Sequence, residues 1–338
     1  MSRKSVLEVR DLETTFFTDD GKVKAVEQIS FSVREGEIVA IVGESGCGKS
    51  VTSLSIMGLI PNPPGKITSG EILMDGRDLR GLPEREMRKI RGKDVAMIFQ
   101  EPMTSLNPLF TIGNQLVETI QLHEKKWFKR NAKKKAVEIM RMVGLPRPEE
   151  LMKEYPHQLS GGMRQRVMIA MAIACSPKVL IADEPTTALD VTIQAQILRL
   201  MKDLNARLNT AVLLITHDLG IVAETCERVI VMYAGQIVEE APVAEIFKNP
   251  QHPYTKGLIQ SIPDMRFKKE TLHSIPGNVP KPGSIKVGCR FAPRCAFVHE
   301  RCTMKNPPLY EAKDGHEARC FLLEKSGGEV HVEPIAES

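Results

Sequence analysis

The chain has 338 residues, of which 26% are charged, and a formal net charge of +4. That length supports one large domain with an appendage or two of ordinary size, and so balanced a charge selects neither nucleic acid nor an anionic membrane surface as partner. The longest uninterrupted apolar run, residues 167–175, falls far short of the ~18–20 residues that cross a bilayer, so any membrane role is expected to be peripheral.

The amino terminus runs straight into alternating, strand-like residues without the apolar stretch of a secretory signal, which predicts that the chain is not exported. Short β-branched runs then alternate with helical stretches, the pattern of an α/β domain with a mainly parallel sheet. Ile38-Val-Ala-Ile-Val42 ends at Gly43, Val95-Ala-Met-Ile-Phe99 at Gln100, Val179-Leu-Ile-Ala182 at Asp183-Glu184, and Val212-Leu-Leu-Ile-Thr216 at His217. Each strand delivers glycine or a polar residue at its carboxyl end, where open α/β sheets place their ligands.

Gly43-Glu-Ser-Gly-Cys-Gly-Lys-Ser50 is a P-loop between a predicted strand and a predicted helix. Backbone N–H groups of such a loop curl around phosphates, and its glycines, here Gly43, Gly46 and Gly48, keep side chains out of the approach. Lys49 is expected to reach the β- and γ-phosphates and the Ser50 hydroxyl to ligate Mg²⁺, with Glu44, Ser45, Cys47 and Val51 completing the nucleotide-binding stretch. Cys47 needs only to be small. Asp183 is the expected metal-side carboxylate and Glu184 the general base for the attacking water. His217 supplies a donor to the γ-phosphate, and Gln100 can touch both the metal shell and the water.

Residues 101–163 change to helices joined by turns, which predicts an inserted helical subdomain. Its basic stretch, residues 125–135, carries seven Lys or Arg, most simply a solvated helix face. Leu159-Ser-Gly-Gly-Met-Arg-Gln-Arg166 then opens an apolar helix; Ser160 reads as its cap, and Gly161 and Gly162 bare N–H groups that make a second anion site. After about Ala241 the sequence turns Pro-rich, with Asn249-Pro-Gln-His-Pro-Tyr-Thr255 and, further on, Cys289-x5-Cys295-x6-Cys302-x17-Cys320. Four thiols suit a [4Fe–4S] cluster, a structural Zn²⁺ or free cysteines, and none of the spacings is the short Cys-x2-4-Cys knuckle common in zinc sites.

Together these segments resemble the ATP-binding cassette family: Walker A at residues 43–50, Q-loop Gln100, signature Leu159-Ser-Gly-Gly162, Walker B at Asp183-Glu184, D-loop Ala188-Leu-Asp190 and switch His217. The resemblance implies an α/β P-loop ATPase with a RecA-like core and N-terminal antiparallel β region (1–100 and 164–245), an α-helical subdomain (101–163) and an irregular C-terminal extension (246–338). It implies ATP and Mg²⁺ as cofactors, with Ser50, Gln100 and Asp183 on the metal. A second cassette, identical or different, would receive Ser160, Gly161, Gly162 and Gln165 against its own ATP, with Asp190 in the D-loop. Phe16, or its neighbour Phe17, stands where the family stacks an aromatic on adenine.

Gly43-Glu-Ser-Gly, Phe99-Gln-Glu-Pro-Met-Thr-Ser-Leu-Asn-Pro108 and the His252-Pro-Tyr-Thr255 segment resemble the branch that powers dipeptide and oligopeptide import, which nickel importers share. That branch implies two membrane permease subunits, an extracytoplasmic substrate-binding protein, no nucleic acid, and a place on the cytoplasmic face of the inner membrane. It also favours a [4Fe–4S] cluster over zinc on Cys289, Cys295, Cys302 and Cys320. A soluble cassette acting on nucleic acid is the alternative from another class; such proteins usually carry two fused cassettes or a long coiled coil, and neither is present.

Overall fold

A computed structural model describes residues 3–19, 21–100, 105–124, 128–187, 189–262, 274–313 and 315–324. The Asp183-Glu184 strand end, the P-loop and the four tail cysteines fall within them, whereas residues 101–104, 125–127 and Ala188 of the motifs above lie outside. The strands are β1 (Ser5–Thr18), β2 (Gly21–Arg34), β3 (Ile38–Val42), β4 (Gly65–Met74), β5 (Arg77–Asp78), β6 (Val95–Ile98), β7 (Val179–Asp183), β8 (Ala211–Thr216), β9 (Arg228–Tyr233), β10 (Gln236–Pro242), β11 (Tyr310–Lys313) and β12 (His316–Ala318). The helices are α1 (Lys49–Ile56), α2 (Glu84–Ile90), α3 (Ile112–His123), α4 (Lys129–Met142), α5 (Pro148–Leu151), α6 (Gly161–Ile173), α7 (Val191–Leu208), α8 (Leu219–Thr225), α9 (Val243–Lys248), α10 (Pro253–Gln260) and α11 (Glu300–Met304).

The chain divides into two compact units, one formed by residues 1–8, 32–38 and 72–215, the other by residues 9–31, 39–71 and 216–338. Strands β1, β2, β4 and β5 make a four-stranded sheet in the order β2-β1-β4-β5. This is the β region expected near the amino terminus.

In the first unit β6, β7 and β8 are parallel, with Ile98 opposite Ala182 and Asp183 opposite Ile215. Every residue of β7 and β8 is buried, which is why these strands read as unbroken apolar runs rather than alternating ones. Helices α3, α4 and α6 pack on one another, and α6 packs on β6. On α4 the buried residues are Ala132, Ala136, Ile139 and Met140, one stripe at helical spacing, and Lys129, Arg130, Lys133 and Lys134 are exposed. The described part of the basic stretch is thus a solvated face. Gln115 of α3 is buried and clamps the turn before the helix, donating to the carbonyls of Asn107 and Phe110 and accepting from the Asn107 amide.

In the second unit β3 and β9 are parallel, and β10, β12 and β11 extend the sheet with antiparallel pairings. The tail therefore carries two strands, where the sequence reading expected irregular chain. Its packing is equally regular. Tyr254 and Phe291 share one buried cluster with Ala40 and Val42 of β3 and Val229 and Val231 of β9, and Cys289 and Cys295 pack against it.

Candidate functional site

In the second unit, β3 is wholly buried and ends at a loop in which Gly43 and Gly48 stand where only glycine fits. A Cβ on Gly43, at φ +153°, would stand 2.3 Å from the Met232 carbonyl oxygen; one on Gly48, at φ +106°, would stand 2.7 Å from that of Ala25. The backbone of the loop is pressed against its neighbours, as a phosphate cradle requires. Gly48 caps α1 without a side-chain bond, so N–H groups are presented at the helix start. The Lys49 ammonium donates to the carbonyl oxygens of Gly43 (2.7 Å) and Glu44 (3.1 Å). Cys47 is fully buried, and burial pushes its thiol up although Lys49 pulls it down. It stays a neutral packing group, as the sequence suggested.

Ser45, Gly46 and Ser50 are exposed and Val51 half-buried. Phe16 lies half-buried against Gly65, whose added Cβ would meet Phe16 Cε1 at 2.9 Å, while Phe17 is 44% exposed with the Lys22 ammonium 5.7 Å from its ring centre. His217 is exposed at the end of β8, and the next residue, Asp218, caps α8 by accepting from the Gly220 and Ile221 amides.

In the first unit the register of β6, β7 and β8 brings Gln100 and Asp183-Glu184 to one edge. Gln100 Nε2 donates to Glu184 Oε2 at 2.9 Å, and Thr187 Oγ1 donates to the same oxygen at 3.0 Å. Glu184 has φ +45°, a left-handed conformation that costs a residue with a Cβ about 1–2 kcal/mol, and its amide donates to the Ile215 carbonyl. Held strain at a carboxylate is characteristic of functional positions. Asp183, one residue back, is buried.

Ser160 accepts from the Met163 amide as the cap of α6, and Gly161 is exposed beside it. A Cβ on Gly162 would meet Ile193 Cγ2 at 2.9 Å, so this glycine also lets α6 approach α7. Gln165 departs from the expectation. It is 1% exposed, and its amide nitrogen donates to the Pro185 carbonyl, so it faces the chain's own interior rather than a second cassette. Asp190 accepts from the Ile193 amide and so caps α7.

Sequence reading gave no role to the residues by which the tail grips the P-loop. The Glu44 amide donates to the hydroxyl of fully buried Tyr254 at 2.9 Å. Burial raises the Tyr254 phenol far above its ordinary value, so the hydroxyl stays protonated. Buried Glu239 of β10 accepts from the Gln251 and His252 amides and from His316 Nε2, all at 2.7–2.8 Å, and His252 Nδ1 accepts from the Tyr254 amide. Burial lowers His252 to about 4, leaving it a neutral acceptor. The visible signal was the His-Pro-Tyr-Thr string, which marked a branch without giving a contact.

Cys289, Cys295, Cys302 and Cys320 line one small apolar cavity with His252, Phe291, Phe297 and Phe321, and all four are free. Burial raises Cys289, takes Cys295 to about 11 and Cys320 to about 12. Among the described residues no group of three or more His, Cys, Asp or Glu stands close enough to hold a metal ion, so the thiols converge without forming the ready-made array that the sequence suggested.

Residues 26–187 match the family model described as ABC transporter, and residues 238–302 the one described as the oligopeptide/dipeptide transporter C-terminal region. The oligopeptide transport ATP-binding protein AppD of Bacillus subtilis is 55% identical over 96% of this chain and 99% of its own length. The dipeptide transport ATP-binding protein DppD of the same organism is 50% identical over 95% and 96%. Among solved structures, a dimeric ATP-binding cassette in a post-hydrolysis state bound to ADP and Pi matches with a TM-score of 0.63 and 30% identity, over 70% of this chain and 98% of its own.

Proposed function

This chain belongs to the ABC transporter family, among its oligopeptide and dipeptide transport ATP-binding proteins, and we propose that the cargo its ATPase cycle drives inward is a di- or oligopeptide. It is an ATPase coupled to transport, and no helix among its described residues is long and apolar enough to cross a membrane. In this proposal the motor works peripherally on separate membrane subunits, supplied by a binding protein on the far side. Nickel is the second cargo to test, because the importers of that branch share its motifs.

In this reading Lys49 leaves its loop carbonyls for the β- and γ-phosphates, while the loop's N–H groups hold the remaining oxygens. Ser50, Gln100 and Asp183 would be the residues to hold Mg²⁺, which would supply positive charge to the phosphates. Glu184 takes the proton of the attacking water, His217 donates to the γ-phosphate, and Phe16 or Phe17 stacks on adenine. Ser160, Gly161 and Gly162 present the start of α6 to the ATP of a second cassette, so each P-loop forms half a site. The observation that carries the reading is the bond from Gln100 to Glu184, because it links the water-activating carboxylate to the residue at which the helical segment begins. Uptake of labelled dipeptide, longer peptide and Ni²⁺ into proteoliposomes holding the complete transporter tests it; ATP-dependent uptake of Ni²⁺ alone would overturn the peptide cargo.

We further propose that the four tail thiols hold a [4Fe–4S] cluster. The donor set is of the right kind: four half-buried cysteines line one small apolar cavity, whereas a single zinc ion needs all four sulfurs about 2.3 Å from one centre. Bound there, a cluster would cross-link Cys289, Cys295, Cys302 and Cys320 and order the tail. Anaerobic purification is expected to give about four iron and four sulfide per chain, with Cys302→Ser losing both; zinc, or no metal, in the anaerobic protein would refute it.

A further inference from the structure

Glu44 is an awkward residue for the second position of a phosphate loop. A carboxylate there opposes a polyanion at short range, and nothing in the cradle's own chemistry calls for it. The structure provides the counter-charge. Arg294, only 4% exposed at its side chain, lies bidentate on Glu44, with Nη1 to Oε2 at 2.7 Å and Nη2 to Oε1 at 3.1 Å. Its remaining donors are also placed: Nε on the Pro276 carbonyl at 2.8 Å, Nη2 on that of Ile275 at 3.2 Å and Nη1 on the Tyr233 hydroxyl at 3.4 Å. All five N–H groups of the fork are thus engaged, and the Tyr233 ring lies 5.8 Å from the guanidinium carbon. Glu44 holds the guanidinium more firmly protonated than usual.

The same residue is gripped through its backbone, since its amide donates to Tyr254. Two segments of the C-terminal region, His252-Pro-Tyr-Thr255 and the stretch before Cys295, therefore converge on one P-loop residue. Such fork-on-carboxylate pairs fix geometry as well as charge.

We propose that Arg294 is a positioning residue of the nucleotide site: by holding Glu44 it cancels a carboxylate beside the phosphates and fixes the start of the loop. The proposal rests on the reading of residues 43–50 as the phosphate cradle. It makes the C-terminal region part of the ATP-binding machinery, so that nucleotide affinity depends on a side chain far outside the cassette's own motifs.

The test is a double-mutant cycle on MgATP affinity, read with a fluorescent ATP analogue on the full chain. Arg294→Gln is expected to weaken binding about tenfold when Glu44 is present and less than about threefold in the Glu44→Gln background, because the repulsion it exposes is then gone. Equal losses in both backgrounds would mean that Arg294 acts only through tail packing, and no loss in either would mean that it does not act; each overturns the proposal. Arg294→Lys, which keeps the charge but not the fork, is expected to fall between the two. It serves as the cycle's second arm should Arg294→Gln lose its cooperative thermal transition. Lys49→Ala separates the two readings: if it binds like wild type, the cradle fails and the proposal with it, whereas if it loses binding while Arg294→Gln does not, the proposal alone fails.

Discussion

Gln100 donates its side-chain amide to Glu184 at 2.9 Å, a bond between residues that follow β6 and β7 at one edge of a parallel sheet. The glutamate is held in a left-handed backbone conformation and shares the accepting oxygen with Thr187. The carboxylate proposed to activate water is thus oriented by the Gln100 amide. Gln100→Ala is expected to leave MgATP affinity within about threefold of wild type and to lower steady-state turnover roughly tenfold or more, as measured on the assembled transporter. An unaltered rate would remove Gln100 from the catalytic group.

The buried His252 predicts how the tail responds to acid. Its folded value lies near 4, below the ~6.5 of an unfolded histidine, so below pH 6.5 the unfolded chain takes up a proton that the folded chain refuses. Stability is full above pH 6.5 and falls between about 6.5 and 4, by up to about 3 kcal/mol. Glu239, lowered by its bonds from His316 and the Gln251 and His252 amides against the upward push of burial, adds to the loss as it protonates at still lower pH. Thermal unfolding followed across this range checks it, with His252→Asn expected to flatten the upper part of the profile.

Tyr254→Phe removes the acceptor of the Glu44 amide and leaves that half-buried donor without it. The expected cost is about 1–3 kcal/mol of stability, measurable by chemical denaturation, together with weaker MgATP binding.

Gln165 and Gly161 should separate cleanly. Gln165 is interior, and its Oε1 has no hydrogen-bond partner among the described residues, so Gln165→Met should change stability by only about 1 kcal/mol and leave ATP-driven pairing of cassettes intact. Gly161→Asp puts a carboxylate at the exposed start of α6, where a second nucleotide's phosphates are proposed to sit, and should abolish pairing in light-scattering or crosslinking assays.

The strands that carry the site were legible because full burial fills β3, β7 and β8 with β-branched and aliphatic residues, Asp183 at the end of β7 apart, and the P-loop because Gly43 and Gly48 stand where only glycine fits. The start of α6 was legible through Ser160 and its glycines. What was hidden was long-range. Strands β11 and β12 are short and largely polar, Tyr310-Glu-Ala-Lys313 and His316-Glu-Ala318, and the pairing of β12 with β10 and of β11 with β12, rather than local pattern, makes them strands. Gln165 was set against a second cassette by the resemblance alone, and packing turns it inward. The pairing of Glu44 with Arg294, 250 positions apart, left no periodicity to read.

The account's central claim is tested most directly by ATP turnover of the chain assembled with its own membrane subunits and binding protein in proteoliposomes, for wild type and Glu184→Gln, with and without peptide. Wild type should hydrolyse ATP faster when peptide is supplied and accumulate it, while Glu184→Gln binds MgATP with near-wild-type affinity and turns over at least 100-fold more slowly. Peptide-independent turnover without uptake, or an unchanged rate in Glu184→Gln, would contradict it.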